Sequence, residues 1–271
     1  MPAVANMAAA LDPTRLFTAA GIEPDPWQRD LLLKPWDRAL LNITRQGGKS
    51  TTVAAVALHT ALYRKNALVL ILAPARRQSK ELLTKIWGLY RDVGRPVRVD
   101  NRSALRVRFD NGSRIIALPG TEKTVRGFSS VDLIVSDEAA RVPDELYEAV
   151  RPMLAVSGGR LIGMSTPWGK RGWFYEAWTD KTQDWHQVEV TGHDCPRMTE
   201  EFLEQERREM GEWRFAQEYE CRFLDTENQF FSTENINSAL SAEIDPLFGG
   251  EDGGDLLTDT DPLTVDTDGN E

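Results

Sequence analysis

The segment Ala67–Ala73 is an unbroken apolar run of strand length, the pattern expected where both faces of a sheet are covered. Shorter runs of the same kind occur at Ala39–Ile43, Leu133–Val135 and Leu161–Met164. Between them the spacing predicts helices over Asp25–Leu33, the Ala-rich Ser50–Tyr63, and Arg76–Leu89. Val97–Val99 and Leu105–Phe109 are strand-like, and Asp110-Asn111-Gly112 predicts a tight hairpin turn into Ser113–Leu118. Strands alternating with helices predict an α/β fold with a mostly parallel, doubly wound sheet. Met198–Phe223 is charge-laced and reads as one helical stretch, a small subdomain on the sheet. Beyond Leu240 the chain is rich in Gly, Asp and Thr, with eight apolar residues in 31, and reads as disordered.

Composition changes this picture mainly through charge. The 271 residues carry 32 Lys+Arg against 42 Asp+Glu, a net charge of −10. Ten of the acidic residues, and no Lys or Arg, lie between Ser241 and Glu271, so residues 1–240 carry 32 of each sign. A globally basic, histone-like protein is excluded, but a body that touches DNA is not. No apolar run approaches the roughly 20 residues that span a membrane, and the start lacks the pattern of a signal peptide. Cys195 and Cys221 suit a reducing compartment, and with His186 and His193 they match no standard zinc-ligand spacing.

The chemistry concentrates in two places. Ile43-Thr44-Arg45-Gln46-Gly47-Gly48-Lys49-Ser50-Thr51 follows a predicted strand and opens a predicted helix, the context of a phosphate loop. Glycines let consecutive N–H groups point inward at a polyphosphate, Lys49 supplies a cation and Ser50 a hydroxyl for Mg²⁺. Ile43 stands where the general pattern has glycine. The second place is Leu133-Ile134-Val135-Ser136-Asp137-Glu138, a buried strand ending in two carboxylates. That suits an Asp holding Mg²⁺ and a Glu polarising the attacking water.

In this order the segments resemble the large terminase subunit, the DNA-packaging motor of tailed bacteriophages. Arg45-Gln46-x-Gly48-Lys49-Ser50 resembles its phosphate loop, which dispenses with the glycine that Ile43 replaces. Pro26-Trp27-Gln28 is similar to its adenine-recognising segment, and Ala73-Pro74-Ala75 with Arg76, Arg77 and Gln78 to the strand–helix step after the first helix. Asn111-Gly112-Ser113 and Thr124-Val125-Arg126-Gly127 resemble the stretch before the acidic pair. Ser165-Thr166-Pro167 resembles the motif coupling hydrolysis to movement, and Phe215-Ala216-Gln217-Glu218-Tyr219 the end of the lid subdomain. The likeness runs from about Pro24 to Phe231.

The resemblance implies a P-loop NTPase of the ASCE, helicase-like type. Its mostly parallel sheet is flanked by helices and carries a small helical lid. Residues 24–190 would be the ATPase core, 191–232 the lid, 1–23 an N-terminal segment and 233–271 an acidic tail. ATP and Mg²⁺ would be bound, with Gln28 on adenine. Arg45, Gln46, Gly47, Gly48, Lys49, Ser50 and Thr51 would lie around the phosphates, and Ser50 and Asp137 on the metal. Glu138 would be the catalytic carboxylate, Arg45 would sense the γ-phosphate in the same subunit, and Arg126 would reach a neighbouring subunit's nucleotide. Ser165 and Thr166 would couple hydrolysis to motion. The partners implied are double-stranded DNA, the portal protein, the terminase small subunit and further copies in a ring, with no membrane. The location implied is the host cytoplasm and, transiently, the procapsid portal, not the virion.

Seven arginines between Arg91 and Arg114 (91, 95, 98, 102, 106, 108 and 114) face three aspartates. Arg106 and Arg108 alternate with Val107 and Phe109 on one strand face, which suits a phosphate backbone, a subunit interface or plain solvation. The family's RNase-H-like nuclease domain is not expected here, because only 40 residues follow Phe231. Asp266-Thr267-Asp268-Gly269 does not complete a calcium loop. The chain therefore reads as a motor half, whether truncated, split or degenerate. A helicase-like DNA-dependent ATPase and a non-catalytic docking remnant are the alternatives.

Overall fold

Strands β1 (Arg38–Ile43), β2 (Leu68–Ala73), β3 (Val99–Arg102), β4 (Arg106–Phe109), β5 (Arg114–Pro119), β6 (Leu133–Asp137), β7 (Arg160–Ser165) and β8 (His186–Val190) form one sheet. Its order is β3-β4-β5-β2-β6-β7-β1-β8. The structure, a computed structural model, describes residues 3–119 and 127–225, all within the compact unit Met1–Thr226. The strands from β5 to β8 run parallel, and β3–β4–β5 is an antiparallel edge. Fully buried β2 (Leu-Val-Leu-Ile-Leu-Ala) sits between β5 and β6, as its continuous apolar run requires.

Helices cover both faces. On one lie α1 (Ala3–Leu11), α2 (Arg15–Ala19), α3 (Pro26–Leu33), α4 (Lys49–Tyr63) and α5 (Arg76–Asp92). They pack Leu16, Phe17, Leu58 and Ile86 against Leu41, Ile71 and Val135. On the other lie α6 (Asp144–Ala155) and α7 (Gly172–Thr179), with Val150, Trp173 and Phe174 against Leu70 and Ile134. Each such large apolar side chain contributes about 1.5–3 kcal/mol by leaving water. A third, small cluster of Leu203, Phe215 and Tyr219 joins α8 (Glu200–Met210) to α9 (Glu212–Glu218). Among the described residues no helix is long and apolar enough to cross a membrane.

Three expectations need correction. The strand expected at Val97–Val99 starts at Val99 and runs to Arg102 through exposed polar residues. Val97 instead packs against the core ahead of the strand, and its carbonyl accepts a 2.7 Å bond from Tyr90 Oη. An edge strand is made by backbone pairing and needs no apolar face of its own. The single helical stretch expected over Met198–Phe223 is two helices, broken where Gly211 takes φ 80°. The expected helix at Arg76–Leu89 continues to Asp92. The tail beyond Leu240 and the segment carrying Arg126 lie outside the described residues.

Asn111-Gly112-Ser113 has a structural role at the hairpin. Gly112 adopts φ 85°, Asn111 Nδ2 donates to the carbonyls of Ala61 (2.9 Å) and Leu62 (3.1 Å), and Ser113 Oγ donates to Arg64 O (2.7 Å). The turn thus satisfies carbonyls at the end of α4 that the helix leaves unpaired.

The amino-terminal helix is pinned to α4 by Tyr63, which donates to Asn6 Oδ1 (2.8 Å), and by His59 Nε2, 3.1 Å from Ala9 O. Burial lowers the His59 pKa, opposed by the carbonyls of Ala9 and Ala10; Arg160 lowers it further and Asp12 raises it. A base depressed on folding is held neutral in the native state, so the unfolded chain binds the extra proton and stability falls as pH drops through 6.5. His59→Gln keeps a donor without the titration. The stability lead of wild type over this variant, read from urea midpoints, should shrink between about pH 7.5 and pH 5. An unchanged lead would show that His59 is not held neutral.

Candidate nucleotide site

The parallel strands bring their carboxyl ends to one edge, and β7 lies between β1 and β6. Asn42 is level with Ser165, and Met164 with Asp137, so the turn after β1 and the carboxylates after β6 stand one strand apart. Ligands bind at this edge of open α/β sheets.

The turn is built to leave donors unpaired. Thr44 N–H donates to Val190 O (2.9 Å) and Gly47 N–H to Thr44 O (3.2 Å). Among the described residues, the N–H groups of Gln46, Gly48, Lys49 and Ser50 have no acceptor. Four such donors at a helix start form an anion-binding nest. Gly48 takes φ 95°, and a Cβ there would lie 2.7 Å from Gln28 Nε2. A Cβ on Gly47 would lie 2.6 Å from Ile43 Cγ2, so the isoleucine that replaces the usual glycine itself requires glycine four residues on. Lys49 Nζ donates to Ile43 O (3.2 Å) and Thr44 O (3.4 Å). Burial lowers its pKa, against the pull of Glu138 and then Asp137. Ser50 is half-buried in the first turn of α4, and Thr51 N–H bonds Gly48 O at 3.1 Å.

Across β7, burial raises Asp137 to about 6, with the Glu138 charge adding to the shift. Its Oδ1 accepts from Glu138 N–H at 3.0 Å. Glu138 has φ 51°, a left-handed backbone uncommon for a non-glycine residue and often found at functional turns. Its carboxylate takes a 2.7 Å ion pair from Arg141 Nη1, and the Arg141 guanidinium stacks 4.2 Å over Trp168. Ser136 Oγ, beside Asp137, is buried without a partner among the described residues. Two hard oxygen ligands, Ser50 Oγ and Asp137, suit Mg²⁺, which commonly uses one or two protein ligands together with phosphate oxygens. Ser165 and Thr166 are buried at the end of β7, where Ser165 Oγ donates to Thr166 O at 2.6 Å.

Two further expected residues are engaged with the protein. The buried Gln28 carboxamide accepts from Asp25 N–H (2.8 Å) and donates to Thr52 Oγ1 (2.8 Å), so it braces α3 against the first turn of α4. Arg45 forms a two-pronged pair with Glu218 on α9, Nε to Oε2 at 2.7 Å and Nη2 to Oε1 at 2.9 Å. That pair raises the Arg45 pKa. Arg126 lies outside the described residues. Three further residues also meet here: Glu218, read from the sequence only as part of the segment Phe215–Tyr219, and Arg141 and Arg197, not singled out there. Arg197 grips Asp25 at 3.0 and 2.8 Å and reaches Gly47 O at 3.4 Å. Only Arg141, three residues after Glu138, carries a local sequence signal.

The seven arginines do not form one patch. Arg102 stacks over Trp87 (4.2 Å) on the α5 face, while Arg106 and Arg108 point away from it. Arg108 is 3.3 Å from Asp100, and Arg98 is 3.8 Å from Asp110. Opposite Arg108, Arg114 shares its face.

Comparison with known proteins agrees with this layout. The large terminase of Escherichia phage T5 is 28% identical over 200 residues, covering 71% of this chain and 45% of that protein. The chain thus spans less than half of that relative's length. The ATPase domain of the Thermus phage P74-26 large terminase superposes with TM-score 0.67 at 22% identity, covering 77% of this chain and 97% of the other. The large terminase of a thermophilic bacteriophage, in complex with ADP, superposes with TM-score 0.61 at 14% identity, covering 80% of this chain and 53% of the other. These last two likenesses show the shared fold. A family described as terminase large subunit, T4likevirus-type, N-terminal, matches residues 40–238. With that match extending over most of its length, the chain belongs to the terminase large subunit family, in that family's N-terminal part.

Proposed function

We propose that this chain hydrolyses ATP to drive double-stranded DNA into a viral procapsid. The observation that carries the reading is the pairing of the four unpaired N–H groups around Lys49 with two carboxylates one strand away. A triphosphate laid on the nest would receive the N–H groups of Gln46, Gly48, Lys49 and Ser50. Lys49 would exchange its carbonyl partners for β- and γ-oxygens, and its burial strengthens that attraction. Mg²⁺, held by Ser50 and Asp137, would neutralise charge on those oxygens. Glu138 would accept a proton from the attacking water. Gln28, next to Gly48, would lie against the base. Arg45 would leave Glu218 for the γ-phosphate, Arg126 would act on a neighbour's nucleotide in a ring, and Ser165-Thr166 would carry the change along β7. Double-stranded DNA, the portal and the small subunit are the partners of this reading, and the host cytoplasm and procapsid portal its place. The intact set Lys49, Ser50, Asp137 and Glu138 favours hydrolysis over a docking remnant.

Steady-state ATPase assays with and without duplex DNA test it. Turnover near the median enzyme rate, on the order of 10 s⁻¹ or below, and stimulated by the duplex, is expected. Absence of hydrolysis under all these conditions would overturn it.

A further inference from the structure

We propose that Arg141, seated on Trp168, is a positioning residue that aims the Glu138 carboxylate at the attacking water. The inference rests on the reading of Glu138 as the catalytic base.

A glutamate side chain turns about three bonds, and a base with that freedom spends much of its time misaimed. At Glu138 the backbone has φ 51° and is followed at once by the 3₁₀ turn Ala139–Arg141. The turn closes through Arg141 N–H to Glu138 O at 2.8 Å and brings the guanidinium back over the carboxylate. Arg141 Nη1 fixes Oε2 at 2.7 Å, while Oε1 accepts no bond among the described residues. One oxygen is therefore anchored and the other is open to a proton. Held this way, the carboxylate stands at the carboxyl end of β6, one strand from the turn that carries Lys49.

Arg141 is itself fixed. Both members of the ion pair keep only about a quarter of their surface, 29% and 25% exposed, and the guanidinium lies 4.2 Å over the Trp168 ring. Trp168 follows Ser165-Thr166-Pro167 directly, so the loop leaving β7 carries the ring on which the Arg141 guanidinium is stacked. The sheet edge thus links the end of β7 to the aim of Glu138 through a single stacked arginine.

Single-turnover hydrolysis and nucleotide affinity of Arg141→Ala, Arg141→Lys, Trp168→Ala and Glu138→Gln test this. Arg141→Ala should lower kcat about 10- to 100-fold, the scale of a misplacement near 1 Å, with KM and nucleotide affinity within about threefold. Arg141→Lys keeps the cation and should recover part of the loss. Trp168→Ala should lower kcat several-fold with affinity unchanged. Wild-type kcat or higher in Arg141→Ala, with Glu138→Gln inactive, overturns the positioning role alone. Turnover retained by Glu138→Gln overturns the base assignment and this inference together. If Arg141→Ala does not fold, Trp168→Ala decides, and wild-type kcat there overturns the proposal.

Discussion

Glu138→Gln is expected to lower ATP turnover by about 10²- to 10⁴-fold, the contribution of a positioned general base. Nucleotide affinity should stay within about threefold of wild type. The amide has the shape of the carboxylate, and its carbonyl still accepts from Arg141, so the ion pair becomes a hydrogen bond rather than an orphaned guanidinium. The nest donors and Lys49 belong to the turn after β1 and are untouched. Removing a negative charge near Lys49 and Asp137 should, if anything, ease the approach of a polyanion. Phosphate release in a single turnover, alongside equilibrium binding of a fluorescent ATP analogue, separates the two effects. Turnover within about tenfold of wild type would remove Glu138 from the base role, and loss of binding would show that its charge organises the loop instead.

What is legible in the sequence follows what each residue answers to. Strands β1, β2, β6 and β7 are covered on both faces, so burial writes a continuous apolar run that can be read directly. At the sheet's edge, β8 reads His-Gln-Val-Glu-Val with only Val190 buried, and nothing in that string separates it from a loop. The helix α6 does carry a signal, with Leu146, Val150 and Met153 on one face and Asp144 and Glu145 in its first turn, but Pro152 inside it masks the pattern. The phosphate-loop residues are legible because their chemistry fits in nine consecutive positions. Their partners are not. Glu218 meets Arg45 across 173 residues and Arg197 meets Gly47 across 150, and only the folded chain brings them together. Gln28 is legible, but its bonds to Asp25 and Thr52 tie it to the loop's frame as well as to any base beside it.

Lys49→Met should make the protein more stable while weakening its affinity for nucleotide at least tenfold. In the structure Lys49 is a half-buried cation whose only hydrogen-bond partners among the described residues are the carbonyls of Ile43 and Thr44, at 3.2 and 3.4 Å, and there it makes no ion pair. Its lowered pKa has burial as the leading cause, which means that folding costs free energy as long as the ammonium stays charged. Methionine fills a similar volume and needs no hydration, and the buried Thr44 carbonyl keeps its bond from Gly47 N–H at 3.2 Å when the two long Lys49 bonds are lost. The gain should be on the order of 1 kcal/mol, a rise in Tm of about 2–4 °C for a domain of this size. The same substitution removes a charge-assisted donor to the phosphates, whose hydrogen bonds are each worth about 1.5–3 kcal/mol, so affinity should fall at least tenfold and by up to several hundredfold. The opposite signs are the point of the measurement. An ordinary structural lysine would lose stability or leave it unchanged when replaced, and a lysine held for a ligand gains it. Thermal melts without nucleotide should therefore place Lys49→Met above wild type, and melts in excess ATP and Mg²⁺ should reverse the order, because ligand then stabilises wild type alone. A variant that melts lower than wild type without nucleotide would show that the loop is held by Lys49 rather than strained by it.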